Sequence, residues 1–495
     1  MAAFTCGSSD IGMAVHIDNR LTPAALLPAV NRLFALSAGK IVGLDRRWPA
    51  GRGTPVFTVK GRYACRGWTE WTRGFQIGSA LLQYEATGDG VFLELGRRQT
   101  IARMPAHVSH MGVHDHGFNI GSTYGNLWRL AREGRWDASP GERGVCELAL
   151  RVSGAVQAAR WTRIAGGGGF IYSFNGPHSL FVDTLRSLRS LAVAHQLGHV
   201  LMGERDAAIS LLGRLLDHAR ATATYAVYYG TGRDAYDVRG RVAHESIFNG
   251  NDGQYRCPNS QQGYSPFSTW TRGLAWAILG FAEQLEFLGS LPAVEIERAL
   301  EASGRAGGRA STRGCRSGAE ATAGGVMERL RRAALATADY YLEVACADGI
   351  PVWDTGAPGL HRLEEFASRP ADPYNRWEPV DSSAAAIAAQ GLWRLGVCEA
   401  GRGERARARR YRQAALTVAR TLFAEPYLSV DARHEGLVLH SVYHRPNGWD
   451  YVAPGQKVPN GESSMWGDYH ARELAVVLAR AARGEPRHVF FDERP

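Results

Sequence analysis

The sequence predicts an all-α protein built from helical hairpins, and three recurring observations support this fold class. Apolar residues recur at helical spacing in several segments. A glycine follows each of these segments, as is common where a helix ends in a left-handed turn. In several places a glycine and an acidic residue then open a second helix. Because one hairpin cannot bury its own apolar face, hairpins of this kind must stack on one another.

The elements follow from these signals. The apolar helical segments, each with the glycine that ends it, are 77–84 with Gly88, 181–197 with Gly198, 276–285 with Gly289 and 384–395 with Gly396. The turns that open a second helix are Gly88-Asp89, Gly203-Glu204 and Gly403-Glu404. Sustained alternation of apolar and polar residues is scarce, and only residues 436–440 fit a short strand.

The chain has 495 residues, of which 45% are hydrophobic and 21% charged, as in soluble globular proteins with a large core. We predict a single catalytic domain over residues 1–495. Residues 303–325 hold almost only Gly, Ala, Arg, Ser and Thr, so they cannot bury apolar area and are expected to form a disordered insertion. Helical hairpins continue on both sides of this insertion, so it is not a domain boundary.

Composition argues against several classes of protein. The net charge is +9, but no run of Lys and Arg accompanies aromatic residues, so nucleic acid is not an expected partner. Seven Cys without a Cys-x-x-Cys pair argue against a disulfide framework and a structural zinc site. Neither a signal peptide in residues 1–20 nor a membrane span is expected, because the necessary apolar runs are lacking. We therefore expect a cytoplasmic enzyme, and the sequence leaves its oligomeric state open.

Four clusters of polar and aromatic residues lie where helices are expected to begin. The clusters are 71–78, 114–118, 175–183 and 262–276. In a ring of hairpins such helix starts can converge at one end, which would bring two Asp, an Arg, a His and several aromatic side chains into one pocket. Aromatic rings stack on sugars, Arg forks onto a carboxylate and carboxyl groups exchange protons, so this is a sugar-acid site in outline. On spacing alone, either Asp can equally be a helix cap or a solvated side chain.

Five ordered motifs resemble those of glycoside hydrolase family 88, the unsaturated glucuronyl hydrolases. The resemblance runs from about residue 71 to residue 473. The motifs are His-Asp-x-Gly-Phe at 114–118, Trp-x-Arg-Gly-x-Ala-Trp at 270–276, Asp-Gly-x-Pro-x-Trp-Asp at 348–354, Asp-Ser-Ser-Ala at 381–384 and Trp-Gly-Asp-Tyr at 466–469. Five motifs in order over most of the chain are far more specific than any one of them.

The resemblance implies a closed (α/α)6 barrel of six hairpins in a single domain. It implies a glycoside hydrolase that removes a 4,5-unsaturated uronic acid from the non-reducing end of oligosaccharides by hydrating a vinyl ether, as part of polysaccharide degradation. Neither a metal nor an organic cofactor is implied. The two essential aspartates of the family map onto Asp115 and Asp183. The substrate-binding residues implied are His114, His244, Gln262 and Arg272, with aromatic walls from Trp71, Phe75 and Trp276.

Within this resemblance, Asp183 is the expected general acid that protonates carbon 4, and Asp115 orients the substrate and stabilises positive charge. A helix start favours an ionised Asp, so burial and an ionised Asp115 would have to raise the pKa of Asp183, and we expect a raised value. Arg272 is the expected ligand of the uronate carboxylate, because its fork matches that group. The alternative for Arg272 is an ion pair with a structural acid.

The chain departs from the family pattern at several positions that line the expected pocket. His116 stands where Leu is usual, and Gln76 stands where Trp is common. Residues 266–268 read Pro-Phe-Ser in place of Asp-Asp-Ser, and residues 184–186 read Thr-Leu-Arg in place of a Met-rich run. These departures bear on substrate preference more than on reaction type.

Other functions stay open on the sequence. A metal centre could use His110, His114 and His116 with Asp115, although no further ligand pair supports it. Unsaturated rhamnogalacturonyl hydrolases share the fold and reaction but act on pectin-derived sugars. Sugar epimerases on similar barrels would need two His bases, for which His244 and His440 are weak candidates. The altered pocket also fits a sugar-binding barrel that has lost turnover, but binding alone does not require two carboxyl groups beside an acidic ligand.

Overall fold

The computed structural model describes residues 14–49, 51–67, 70–305 and 322–491, and helices dominate these ranges. The helices are α1 (Leu27–Arg47), α2 (Arg73–Thr87), α3 (Gly90–Arg103), α4 (Pro105–Val108), α5 (His116–Ile120), α6 (Asn126–Arg132), α7 (Pro140–Ala159), α8 (Thr184–Ser187), α9 (Arg189–Gln196), α10 (Leu211–Tyr225), α11 (Thr271–Gly289), α12 (Ala293–Arg305), α13 (Ala323–Val344), α14 (Ser382–Gly401), α15 (Arg405–Leu422) and α16 (Met465–Arg483). A π-helical segment, Gly121–Gly125, joins α5 to α6.

Six helical segments form a closed inner ring. In order around the ring, α2 contacts α5, α5 contacts α8, α8 contacts α11, α11 contacts α14, α14 contacts α16, and α16 returns to α2. The helices α1, α3, α7, α10, α13 and α15 pack behind this ring. The chain is thus an (α/α)6 barrel, as expected, and its sixth hairpin pairs the C-terminal helix α16 with the N-terminal helix α1.

Small residues allow the inner helices to approach closely. Residues 384–389 of α14 are fully buried, and five of the six are Ala. A Cβ added to Gly117 of α5 would lie 2.2 Å from the backbone oxygen of Ser187, so no larger residue fits there without moving α8. The glycine of the His-Asp-x-Gly-Phe motif therefore fixes how closely the two Asp-bearing helices pack.

The helix signals of the sequence were mostly reliable. Gly88 ends α2 with a φ of 72°, and Asp89 caps α3 by accepting a hydrogen bond from the Val91 amide, as predicted. Three signals were wrong. Phe181, the first residue of the predicted helical segment 181–197, lies in a strand, and the helices of this segment begin only at Thr184. Helix α14 continues past Gly396 to Gly401, because its neighbours keep covering it. The Gly203 turn instead lies in a small ribbon, and α10 begins only at Leu211, where Ser210 is its cap.

Short strands lie in the connections between the helices. They are β1 (Pro55–Val59), β2 (Arg62–Cys65), β3 (Trp161–Arg163), β4 (Gly169–Ile171), β5 (Ser179–Phe181), β6 (Leu201–Met202), β7 (Ala208–Ile209), β8 (Glu245–Phe248) and β9 (Tyr255–Asn259). The pairs β1–β2, β3–β4 and β6–β7 are antiparallel ribbons, and β5, β8 and β9 form an antiparallel sheet in that order. The predicted strand at 436–440 is wrong, since Val438 and Leu439 form only isolated bridges.

The predicted insertion is shorter than residues 303–325. Its start, Ser303 to Arg305, belongs to α12, and its end from Ala323 belongs to α13. The expected disorder of residues 306–321 falls outside the described residues.

The segment Ala24–Arg47, which includes α1, has the length and the mean hydropathy, 1.3 over its most apolar window, of a membrane-spanning helix. Part of its apolar face packs into the core through Val30, Leu33 and Phe34. Among the described residues no other helix reaches this hydropathy.

Candidate active site

The starts of four inner helices bring the predicted polar residues to one end of the barrel. Asp115 immediately precedes α5, and Asp183 immediately precedes α8. Arg272 lies in the first turn of α11, and Trp71 lies just before α2. The sheet of β5, β8 and β9 lies beside them, because the Val182 amide donates to the His244 carbonyl oxygen at 3.0 Å. The convergence predicted from the sequence is therefore present.

His114 lies between the two aspartates. Its Nε2 is 3.6 Å from Oδ1 of Asp115 and 3.8 Å from Oδ1 of Asp183. All three side chains are buried, with 1%, 6% and 9% of their surface exposed for His114, Asp115 and Asp183. Neither ring nitrogen of His114 nor Oδ1 of Asp183 has a hydrogen-bond partner among the described residues. Buried polar atoms are rarely left unpaired, so this group of atoms is suited to receiving a ligand or water.

Hydrogen bonds from two other helices hold the His114 backbone in place. The His114 carbonyl oxygen accepts from Nε2 of Gln157 and from Oγ of Ser187, both at 2.8 Å. Oγ of Ser187 also accepts from the Gly117 amide at 2.8 Å. Gln157 lies on α7, and Ser187 lies on α8, the helix that follows Asp183. These bonds therefore tie the position of Asp115 to α8.

The charges of this cluster reverse the expected order of the pKa values of Asp115 and Asp183. Burial raises the pKa of Asp115 to about 6, with only partial relief from His114. Burial also acts to raise the pKa of Asp183, but the nearby His114 outweighs it and leaves that pKa below its usual range. Burial acts to lower the pKa of His114, and the two aspartates raise it overall. The expectation of a raised pKa for Asp183 in the free protein is therefore wrong, because the imidazole beside it stabilises the carboxylate.

His244 adds a neutral donor near Asp183. Its Nδ1 accepts hydrogen bonds from the amides of Gln261 and Gln262 at 3.1 and 3.3 Å, so the proton is on Nε2. Burial lowers the pKa of His244 to about 4, which keeps the ring neutral. Nε2 has no partner among the described residues. The ring is packed between Phe181 and Trp270, with centroid distances of 4.6 Å to each, so this N–H has a fixed direction.

Arg272 is already engaged by the protein. Its Nη1 donates to Oδ2 of Asp381 at 2.8 Å, and its Nη2 donates to Oε1 of Gln262 and to the Tyr443 carbonyl oxygen, both at 2.8 Å. The Val442 carbonyl oxygen accepts a further bond from Nη1. The ion pair with a structural acid, one of the two readings of this Arg, is thus present. Contact between Arg272 and a uronate stays a prediction, and it would share donors with these bonds.

The three predicted aromatic walls differ in exposure. Trp71 is partly exposed and stacks on Trp466, with ring centroids 5.1 Å apart. Phe75 and Trp276 expose only 1% and 2% of their surface and both pack against Phe118. In the free protein these two rings form the aromatic layer beneath the pocket, and their contact with sugar stays a prediction.

The sequence reasoning gave no role to a second set of residues that supports the site. Oγ of Ser383 donates to Oδ1 of Asp381 and accepts from the Trp466 indole at 3.0 Å, so one chain of bonds links Arg272, Asp381, Ser383 and Trp466. The Asp-Ser-Ser-Ala and Trp-Gly-Asp-Tyr motifs were the available signals. No motif in the sequence pointed to His218. It is a fully buried residue of α10 whose Nδ1 accepts a hydrogen bond from the Ile171 amide at 3.0 Å.

The metal centre that the sequence left open as an alternative loses His116 in the structure. His116 has both ring nitrogens engaged, with Oγ of Ser153 at 2.8 Å and the His110 carbonyl oxygen at 2.9 Å, which leaves no lone pair for an ion. The group that could offer metal ligands is His114, Asp115 and Asp183, whose ligand atoms lie within 4.8 Å of one another. These are also the groups required for acid catalysis, so the geometry alone does not select a metal.

Comparison with known proteins finds similarity to unsaturated glucuronyl hydrolases. No family model matches the chain. An unsaturated glucuronyl hydrolase of Bacillus sp. strain GL1 is 24% identical over 435 residues, which cover 86% of this chain and 90% of that protein. The chain is related to the unsaturated glucuronyl hydrolases. This agrees with the resemblance drawn from the five motifs.

Solved structures of these hydrolases share the fold. The unsaturated glucuronyl hydrolase from Bacillus sp. GL1 superposes with a TM-score of 0.62 at 22% identity, over 92% of this chain and 96% of that one. A variant of such a hydrolase, described together with dGlcA-Glc-Rha-Glc, gives a TM-score of 0.63 at 22% identity, over 93% of this chain and 97% of that one. The whole barrel is therefore common to this chain and these hydrolases.

Proposed function

We propose that this protein is a glycoside hydrolase of the unsaturated glucuronyl hydrolase type, which removes a 4,5-unsaturated uronic acid from the non-reducing end of an oligosaccharide. The observation that carries the proposal is the cluster of Asp115, His114 and Asp183, whose atoms lie within 4.8 Å of one another at the converging helix starts. The relative from Bacillus sp. strain GL1 bears that name, and a related structure is described with an unsaturated oligosaccharide.

The reaction is a hydration. The double bond between carbons 4 and 5 is a vinyl ether, so a proton added at carbon 4 leaves an oxocarbenium-like centre at carbon 5. Water adds at carbon 5 and gives up a proton to a carboxylate. The resulting hemiketal opens, and the rest of the oligosaccharide leaves with its hydroxyl group restored. One carboxyl must donate a proton and one base must accept one, which the two aspartates can supply together.

The two aspartates share one proton in this proposal. In the free protein the proton resides mainly on Asp115, because the pKa of Asp115 is about 6 and that of Asp183 is below its usual range. Asp183 delivers the proton to carbon 4. The carboxylate of a bound uronate adds negative charge to the cluster, and a like charge disfavours ionisation, so binding raises the pKa of Asp183 toward the working pH. His114 lies between the two acids and offsets part of their charge.

Two sets of donors support recognition of an acidic sugar. His114 has a raised pKa and offers positive charge, while His244 offers a neutral N–H of fixed direction. Arg272 lies deeper, tied to Asp381 and Gln262, and adds positive charge at that end of the pocket. Trp71 supplies the partly exposed aromatic face.

The decisive experiment follows the ultraviolet absorbance of the conjugated double bond. Wild-type protein mixed with an unsaturated glucuronyl disaccharide should remove this absorbance catalytically, whereas the same protein with Asp115 and Asp183 both changed to Asn should not. Binding of the disaccharide by wild-type protein without loss of absorbance would instead identify a sugar-binding barrel and contradict the proposal. A panel that includes an unsaturated galacturonyl-rhamnose disaccharide separates the glucuronyl from the rhamnogalacturonyl activity.

A further inference from the structure

A cleft of about 350 Å³ lies on the outside of the barrel. It is bounded by the β3–β4 ribbon, the β6–β7 ribbon, the start of α10 and the end of α12. Its volume falls in the range of small-molecule pockets. Its polar walls are Trp161, Arg163, Arg214 and Asp217, and its apolar walls include Ala208 and Ile209. None of these residues belongs to the active site described above.

Two arginines of this cleft form no ion pair within the described ranges of the chain. Arg163 and Arg214 form neither an ion pair nor a side-chain hydrogen bond with any residue in the described ranges 14–49, 51–67, 70–305 and 322–491. Burial, together with the charge of Arg163, lowers the pKa of Arg214 to about 10, and Asp217 only partly opposes this. A half-buried guanidinium without a carboxylate gains free energy when an anion binds beside it.

The geometry of Arg214 prepares it for such an anion. Its guanidinium carbon lies over the Trp161 ring, 3.8 Å from the ring centroid, so the cation rests on the face of the indole. A guanidinium stacked in this way keeps its in-plane N–H groups free for a planar or tetrahedral oxyanion. The single acid that lines the cleft, Asp217, is 3% exposed, accepts a hydrogen bond from Oγ of Ser303 and lies 3.7 Å from Arg220, so its carboxylate is already engaged by other side chains.

We propose that this cleft is a second carbohydrate-binding site, which holds an acidic oligosaccharide by a carboxylate or sulfate group. Arg163 and Arg214 bind the anionic group. The indole edge of Trp161 and the apolar wall of Ala208 and Ile209 contact the sugar ring, as amphipathic aromatic residues commonly do. Such a site would keep a polymer or long oligosaccharide attached to the barrel while its unsaturated end reacts elsewhere.

Binding is tested by calorimetry with probes that the enzyme cannot hydrolyse. The probes are a uronate tetrasaccharide with a saturated end, its sulfated counterpart, a neutral tetrasaccharide and inorganic sulfate. We expect one of the two acidic tetrasaccharides to bind, and Arg214→Gln to weaken that binding about tenfold, the usual effect of losing a charge-assisted contact. The uronate and sulfated probes distinguish the two anionic groups. Equal binding of inorganic sulfate, or of the neutral probe, would overturn a site for acidic sugars.

Matched variants separate this site from the fold and from catalysis. Ala208→Glu keeps both arginines and adds a carboxylate to an exposed position of the cleft, so it should abolish the binding that Arg214→Gln weakens. Arg46→Gln changes an exposed arginine of α1, outside the cleft, and should leave binding intact. Turnover of an unsaturated disaccharide, which reports on the active site, should be unchanged in all three. Wild-type affinity in both Arg214→Gln and Ala208→Glu would overturn the proposal, whatever the outcome of the absorbance assay.

Discussion

The Nε2 atom of His114 lies 3.8 Å from Oδ1 of Asp183, close enough for the imidazole to decide which aspartate is ionised. Its charge outweighs the effect of burial on Asp183, while burial prevails at Asp115. A helix start also favours ionised Asp183, although α8 is too short for a large effect. Below about pH 6 the site therefore favours a protonated Asp115 beside an ionised Asp183, the pairing of one acid with one base that an addition of water requires.

The first prediction concerns the pH dependence of kcat/KM, which reports the groups of the free enzyme. The active form carries one proton on the pair of aspartates. Asp115, which holds this proton in the free protein, has a pKa of about 6 and loses the proton as the pH rises through that value. We therefore expect kcat/KM to fall above about pH 6. Initial rates at low substrate concentration from pH 4 to 8 measure this. A rate that climbs through this range would contradict it.

The second prediction concerns the two aspartates individually. Asp183→Asn removes the group that donates to carbon 4 and should lower kcat by about 10²-fold or more, as loss of a general acid does. Asp115→Asn should also lower the rate strongly at pH 6. Asp183 is then the only carboxyl group of the pair, and because its pKa is lowered it is almost entirely ionised at that pH and has no proton to donate. In this variant the fall in rate should move to lower pH. If Asp183→Asn retained most of the activity, Asp183 would not be the donor.

The third prediction concerns stability. The pKa of Asp115 is raised by folding, so its ionised form costs free energy in the folded state at any pH above about 6, and the cost disappears below about pH 4. Asp115→Asn should therefore stabilise the fold at pH 7.5 by on the order of 2 kcal/mol and have little effect at pH 3.5. Denaturant unfolding at the two pH values measures the difference. Equal effects at both would mean that burial of this charge carries no such cost.

The fourth prediction concerns metals. His114, Asp115 and Asp183 could offer three ligand atoms, but the proposed hydration needs only proton transfer. Dialysis against a chelator should leave the rate of absorbance loss unchanged, and added zinc should inhibit, since an ion bound there would occupy both catalytic carboxyl groups. Loss of activity in chelator that is restored by one metal would make these residues a metal centre.

The sequence predicted the helical hairpins and the meeting of their helix starts, because apolar spacing and glycine stops act locally. Closure of the barrel was implied by the resemblance, four of whose five motifs lie at the starts of inner helices. The sequence could not predict the order of the two aspartate pKa values. That order depends on a distance of a few ångströms between His114 and Asp183, which lie 69 residues apart in the sequence and whose approach is set by the packing of α5 against α8. For the same reason it could not show that Arg272 is bound to Asp381, 109 residues away. Side-chain contacts across the ring are properties of the closed barrel.

The fifth prediction separates two roles of Arg272. Lys cannot reproduce the fork that joins Asp381, Gln262 and the loop carbonyl oxygens, so Arg272→Lys should raise KM and also lower the melting temperature. Asp381→Asn keeps Arg272 but leaves its buried charge unpaired, which should destabilise the fold by about 3 kcal/mol. If Arg272 acts by holding Gln262 and the loop, both variants should raise KM. If Arg272 binds the uronate directly, KM should rise far more in Arg272→Lys than in Asp381→Asn. An unchanged KM in Arg272→Lys would remove this residue from substrate binding altogether.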